Sequence, residues 1–67
     1  MDPRELVTKV VGTGVEGDQG VILVYRQGDR ISVVATAEKN GDAEVILDRV
    51  AAASLAAALA QATGKQS

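Results

Sequence analysis

The chain has 67 residues and a net charge of −2, and it contains neither cysteine nor histidine. The absence of these residue types excludes disulfides and metal sites with thiolate or imidazole ligands, so a chain this small must be stabilised by efficient packing or by a partner. Apolar residues make up 46% of the chain and charged residues 24%, which is typical of one folded domain, here residues 1–67.

The first predicted element covers residues 1–11. Asp2, Pro3 and Glu5 form a helix-start signature of cap, first-turn proline and capping-box glutamate. The apolar residues of LVTKVV then recur at helical spacing, and Gly12 stands where such a helix would end. Because most residues of LVTKVV are β-branched, a strand over residues 6–11 is the alternative. The sequence favours a short N-terminal helix.

Residues 12–20 are a glycine-rich connection, and residues 21–47 carry a stronger, strand-like signal. The runs VILVYR and RISVVATA are rich in β-branched and aliphatic residues, and the stretch QGD between them predicts a hairpin that turns at Gly28 and Asp29. The dipeptide NG that follows ATAEK favours the positive φ angles of a type I′ turn, after which AEVIL forms a third antiparallel strand. Together the three strands make a β-meander.

The last segment predicts a helix over residues 48–63. Asp48 is a suitable cap, alanine is the best helix former, and Gly64 is a suitable stop before a frayed tail at residues 64–67. The predicted fold class is therefore α+β: a three-stranded antiparallel β-meander with a C-terminal helix packed on one face and a short N-terminal helix. The element order is αβββα, with ββββα as the alternative.

The αβββα order with an alanine-rich last helix resembles that of double-stranded RNA-binding domains, which have about this length. In that family the start of the last helix is rich in lysine and contacts phosphate. The matching stretch here, residues 48–51, contains one basic residue, Arg49. The resemblance is therefore one of element order, and the binding function of the family is not carried over.

The predicted turns place Val24 opposite Val33 and Ala35 opposite Ile46. Both faces of the sheet then carry mainly apolar side chains, whereas a three-stranded antiparallel sheet normally turns one polar face to water. The C-terminal helix can cover one face, but residues 1–11 are too few to cover the other. We therefore expect a second copy of the chain, or another protein, to cover it. The candidate interface residues are Ile22, Val24, Ile31, Val33, Ile46 and Tyr25.

Little in the sequence points to catalysis. Without histidine or cysteine, the remaining carboxylates, lysines and hydroxyls are not spaced by any motif that fixes a catalytic separation. GTGVEG at residues 12–17 matches the spacing G-x-G-x-x-G of dinucleotide-binding loops, but a strand and not a helix follows it. We expect no enzyme activity and no cofactor or metal, and binding of a nucleotide or metal by residues 12–20 is the last alternative.

These observations favour a non-catalytic protein-interaction module. We expect a homodimer that binds another protein, as small accessory or regulatory proteins of phages and mobile elements do. The alternative is a nucleic-acid-binding domain, but the basic residues are scattered, so nucleic acid is not the expected partner. The candidate contacts for that alternative are Arg26, Arg30, Lys9 and Arg49.

Location follows from two further features of the sequence. No apolar run reaches the roughly 18 residues of a membrane span. The acidic start MDPRE lacks the positive charge that begins a signal peptide. We expect a cytoplasmic protein that does not engage membranes.

Overall fold

The structure, a computed structural model, describes residues 3–64. These residues form one four-stranded antiparallel sheet, in which each strand pairs with the next along the chain, followed by a helix. The elements are β1 (Glu5–Thr13), β2 (Gln19–Gln27), β3 (Arg30–Ala37), β4 (Gly41–Leu47) and α1 (Arg49–Ala62). The α+β class is confirmed, and the element order is the alternative ββββα.

The predicted N-terminal helix is wrong, because this segment forms β1. It pairs with β2 from Glu5 opposite Arg26 to Thr13 opposite Gln19, with an irregularity at Val7. Pairing gives the backbone groups at the open edge of β2 their partners, and the β-branched residues suit a strand. Because the first element is a strand and not a helix, the element order differs from that of double-stranded RNA-binding domains. The expected cap Asp2 and tail residues 65–67 lie outside the described residues.

The first predicted hairpin is confirmed. Val24 lies opposite Val33, and the turn consists of Gly28 and Asp29. Gly28 has a φ of 61°, and among the described residues glycines alone adopt positive φ. A positive φ at the first central position and not at the second is the pattern of a type II′ turn, which suits the twist of antiparallel strands.

The second hairpin differs from the prediction. Ala35 lies opposite Ala43 and not opposite Ile46, so β4 is displaced by three residues. A type I′ turn needs positive φ at both central residues, and Asn40 does not adopt it. Contacts from the β1–β2 loop hold residues 38–40 in another geometry: Asp18 Oδ2 accepts from the Lys39 backbone N–H at 2.8 Å. The carbonyl of Gln19, the first residue of β2, accepts from the backbone N–H of Glu38, the residue before Lys39, at 3.3 Å.

The predicted C-terminal helix is confirmed. Asp48 Oδ1 accepts from the Ala51 backbone N–H at 2.8 Å and caps the start, and Gly64 with φ 93° follows the end. The helix contacts β3 and β4, yet no residue of it is buried. Leu55 and Leu59, its largest apolar residues, remain 40% and 57% exposed. The expected covering of one sheet face is therefore incomplete, because the helix offers mainly alanine side chains.

The described part of the chain lacks a buried apolar core. No apolar side chain in residues 3–64 is buried, and the residue that is buried, Ser32, is polar. The molecule is flat, with extents of 38 × 34 × 15 Å. Its radius of gyration is 13.3 Å, whereas a compact chain of this length has about 11 Å. The fold is a sheet with two uncovered faces.

The β1–β2 loop depends on a close approach between Gly14 and Asp18. The Gly14 N–H donates to the Asp18 carbonyl at 2.7 Å. A Cβ added at Gly14 would lie 2.3 Å from Asp18 Oδ1, closer than any real contact. Glycine at this position therefore lets the Asp18 carboxylate reach the β3–β4 turn.

We expect Gly14→Ala to lower the free energy of unfolding by about 1–3 kcal/mol, because the new methyl group must displace the Asp18 carboxylate. Urea unfolding followed by circular dichroism measures the change. Glu16→Ala is the control in the same loop, since Glu16 is exposed and lies outside the paired strands. The control should change stability by less than about 0.5 kcal/mol. Equal effects of the two substitutions would contradict this account of the loop.

Candidate interaction surface

The strand register assigns every sheet residue to one of two faces. Residues directly opposite each other in antiparallel strands share a face, and along a strand alternate residues share it. One face, which we call the apolar face, carries Thr8, Val10, Gly12, Gly20, Ile22, Val24, Ile31, Val33, Ala35, Ala37, Gly41, Ala43, Val45 and Leu47. Its charged residues are Glu5 and Arg26, which lie at one corner.

The opposite side, which we call the mixed face, combines apolar and charged residues. It carries Leu6, Lys9, Val11, Thr13, Gln19, Val21, Leu23, Tyr25, Gln27, Arg30, Ser32, Val34, Thr36, Asp42, Glu44 and Ile46. The displaced register of β4 produces this separation, because it moves Asp42 and Glu44 to the mixed face and Val45 to the apolar face. The predicted distribution of the β4 residues between the two faces is therefore wrong.

Four of the six candidate interface residues lie together. Ile22, Val24, Ile31 and Val33 share the apolar face, but Tyr25 and Ile46 lie on the mixed face. The predicted second turn places Ile46 on the same face as Val33, and the observed register moves it to the mixed face. Tyr25 lies on the mixed face because it directly follows Val24 along β2. These six residues therefore do not form one surface.

Both faces expose large apolar side chains at the sheet edges. On β1, Val10 of the apolar face is 53% exposed and Val11 of the mixed face is 59% exposed. On β4, Val45 of the apolar face is 56% exposed and Ile46 of the mixed face is 53% exposed. Exposed apolar patches of this kind mark interaction sites. Each edge thus provides neighbouring residues of similar exposure on opposite faces.

A polar cluster occupies the mixed face beside Tyr25. The Arg4 guanidinium donates to Glu44 Oε2 at 3.0 Å and to Ser32 Oγ at 3.4 Å, and the Ser32 hydroxyl also donates to Glu44. The guanidinium carbon lies 4.0 Å from the centroid of the Tyr25 ring, in a cation–π arrangement. The cluster joins the segment before β1 to β2, β3 and β4.

The same cluster changes the acidity of Glu44. The hydrogen bond from Ser32 and the nearby positive charge of Arg4 favour the ionised carboxylate, and they hold the pKa of Glu44 below its usual range. A carboxylate with a lowered pKa stays ionised at neutral pH and is a weak proton acceptor. Glu44 is therefore suited to an electrostatic contact and not to acid–base catalysis.

The four candidate nucleic-acid contacts are spread over the fold. Arg26, on the apolar face, forms an ion pair with Glu5 at 2.8 Å. Lys9 lies on the mixed face. Arg30 and Arg49 line one surface groove, but Asp29 and Asp48 line it too, so its charges balance. The structure does not bring the four basic residues into one patch.

The glycine-rich loop has a structural role that accounts for its sequence. It joins two antiparallel strands, and the Asp18 carboxylate occupies it, with Oδ1 buried and unpartnered and Oδ2 bonded to the β3–β4 turn. A carboxylate in this position repels a phosphate group. Within residues 3–64, no three His, Cys, Asp or Glu side chains cluster so as to hold a metal ion.

Comparisons with protein-family models, with curated proteins and with solved structures find no match for this chain. In the part of the chain that the structure describes, no helix has the length and apolar character needed to cross a membrane. The two faces of the sheet are thus the features from which a function must be argued.

We expect the stabilising effect of the Glu44 cluster to depend on pH. A lowered folded-state pKa stabilises the fold above the unfolded value of about 4.3, and this contribution is lost as the pH falls through the folded value. Glu44→Gln should therefore be less stable than the unsubstituted chain at pH 7, and the difference should shrink at about pH 3. Urea midpoints at the two pH values measure it.

Glu16→Gln is the control for this experiment, because Glu16 is an exposed carboxylate in the β1–β2 loop. It should change the urea midpoint little at either pH. A destabilisation by Glu44→Gln that stays constant between pH 7 and pH 3 would show that the lost contact does not involve the charge of Glu44.

Proposed function

We propose that this chain is a non-catalytic protein-interaction module of the cytoplasm. Its stable form is a homodimer, and it acts as a small accessory or regulatory protein by binding another protein. The observation that carries the proposal is the absence of any buried apolar side chain among residues 3–64. A sheet in this state gains stability only when another surface removes its apolar residues from water.

The amount of apolar surface that one chain leaves exposed supports a dimer. Fully burying one valine, leucine or isoleucine side chain contributes about 1.5–3 kcal/mol, and ordering one residue of backbone costs about 1–2 kcal/mol. Such a chain needs most of its large apolar residues buried if it is to fold. Val10, Val11, Val45 and Ile46 are more than half exposed. A second copy is the partner present wherever the chain is made.

The residue types support a non-catalytic role. The chain contains no histidine or cysteine, the side chains that most often transfer protons or attack as nucleophiles near neutral pH. The hydrogen bond from Ser32 and the charge of Arg4 shift the pKa of Glu44 downward. A carboxylate that acts as a general acid or base has its pKa raised toward neutrality, which is the opposite direction.

Binding of another protein is supported by the second face. A dimer that covers one face of the sheet leaves the other accessible. Tyr25 and Arg4, which lie in contact, are of the residue types enriched among the dominant contacts of protein interfaces. The accompanying charges of Lys9 and Glu44 provide the polar surroundings typical of a transient interface.

Sedimentation equilibrium tests the homodimer. We expect a mass of about twice the 6.9 kDa of the chain at micromolar concentration. Because dimerisation buries the apolar side chains that stabilise the fold, the midpoint of thermal unfolding should rise with protein concentration. A monomer that unfolds cooperatively, with a midpoint independent of concentration and no binding of a hydrophobic dye, would overturn the homodimer.

Affinity capture from the source organism tests the binding of another protein. We expect the chain to retain a specific protein that a glutamate on one face of the sheet displaces, whereas a glutamate on the opposite face displaces the second copy. Empty resin is the control for nonspecific retention. Capture that neither substitution changes, or no retained protein at all, would contradict the proposal.

A further inference from the structure

The apolar face has a gradient of side-chain size along its strands. The end near the β2–β3 turn carries large side chains, including Ile31 and Leu47, which the register places opposite each other. The other end, which we call the shallow end, carries glycine and alanine on all four strands: Gly12, Gly20, Ala37 and Gly41. An open hollow of about 410 Å³ lies there, and these four residues line it together with Ala35 and Ala43.

Close packing requires that large side chains meet small ones. Protein interiors and interface cores are packed as densely as organic crystals, and facing layers interdigitate when large and small residues alternate. A surface that is raised at one end and hollow at the other fits a second copy of itself when that copy is reversed along the strands. A partner placed the same way round would set hollow against hollow.

We infer that two copies pair through their apolar faces about a two-fold axis that runs across the strands. This inference rests on the proposed homodimer and names the surface that forms it. This axis reverses the direction of the strands and keeps their order across the sheet. Each strand therefore lies over the equivalent strand of the partner. Ala37 then faces the partner's Ile31, Gly41 faces the partner's Leu47, and Ala35 faces the partner's Val33.

The distribution of charge selects this face over the other one. Apart from the ion pair between Glu5 and Arg26 at one corner, the apolar face has no charged residue. The mixed face has several, among them Lys9, Asp42 and Glu44. Removing charged groups from water is costly unless each is well paired. A dimer built on the apolar face removes one charged pair from water, and its members Glu5 and Arg26 are already paired with each other, so the cost is smaller than on the mixed face.

The accessible area agrees with one such interface for each chain. The chain exposes 5052 Å², whereas a folded monomer of 6.9 kDa exposes about 4000 Å². The excess of about 1000 Å² is close to the roughly 800 Å² that each partner contributes to a standard stable interface. Covering one face restores the area expected of a folded chain.

The face of the dimer is tested by a matched pair of substitutions on β1. Val10→Glu and Val11→Glu add the same charge to neighbouring, similarly exposed valines on opposite faces. We expect Val10→Glu to raise the dimer Kd by tenfold or more, which corresponds to about 1.4 kcal/mol or more, or to unfold the chain as the dimer is lost. Val11→Glu should leave the Kd within about threefold. Sedimentation equilibrium measures both.

Val45→Glu and Ile46→Glu repeat the comparison at the other edge of the sheet. If Val11→Glu and Ile46→Glu dissociate the dimer while Val10→Glu and Val45→Glu do not, the apolar face is not the interface, although the proposed homodimer remains. A dimer that all four substitutions leave intact also overturns the inference and indicates pairing through strand edges or through α1. If the unsubstituted chain is monomeric, the proposed homodimer itself fails.

The direction of the axis is tested by exchanging a large and a small residue. Ile31→Ala and Ala37→Ile should each raise the dimer Kd by about tenfold, through a cavity in the first case and overpacking in the second. The double substitution should return the Kd to within about threefold, because each new isoleucine faces the partner's new alanine. The two positions are six residues apart on β3, about 20 Å, so they do not touch within one chain. Additive effects in the double variant would overturn the reversed arrangement.

Discussion

A single four-stranded sheet has two faces to keep from water, and this chain supplies one alanine-rich helix for the purpose. The helix contacts β3 and β4 without burying any of its own residues. With no fully buried apolar side chain in residues 3–64 and only half-buried ones at the centre of the sheet, the hydrophobic effect, which is the main favourable contribution to folding, is only partly used within one chain. The flat shape and the exposed valines at both edges follow from this shortage of covering structure, and the proposal of a partner rests on it.

The difference between the two faces depends on one small contact far from either of them. Asp18 reaches the β3–β4 turn because Gly14 leaves room for its carboxylate. That turn sets the register of β4, and a displacement by an odd number of residues moves every side chain of a strand to the opposite face. With the register observed, the charges of Asp42 and Glu44 join the mixed face. The contact between Asp18 and the β3–β4 turn thus accompanies the register that places these two charges on the mixed face.

The two faces provide different kinds of contact. The apolar face offers a broad area whose side chains are apolar apart from Thr8 and the Glu5–Arg26 pair, which suits a permanent partner of complementary shape. On the mixed face, the Ser32 hydroxyl and the Arg4 guanidinium hold Glu44 ionised, and an accessible ionised group of this kind stays hydrated until a partner replaces its water. A chain with this division can remain assembled through one face while it binds and releases another protein through the other.

The sequence by itself determined the elements whose signals are local. The hairpin at Gly28 and the helix from its cap at Asp48 to its stop at Gly64 each depend on residues adjacent in the chain, and both were predicted correctly. For residues 6–11 the local signals conflicted, because the spacing suited a helix and the β-branched side chains suited a strand. The open edge of β2 decided between them, since only a paired strand satisfies the backbone groups of both. The β3–β4 turn, which leads into β4, likewise involves a distant residue: Asp18 accepts a hydrogen bond from the backbone N–H of Lys39, 21 positions along the chain. The sequence indicated that the strands are mainly apolar, and only the tertiary structure decided which residues share a face.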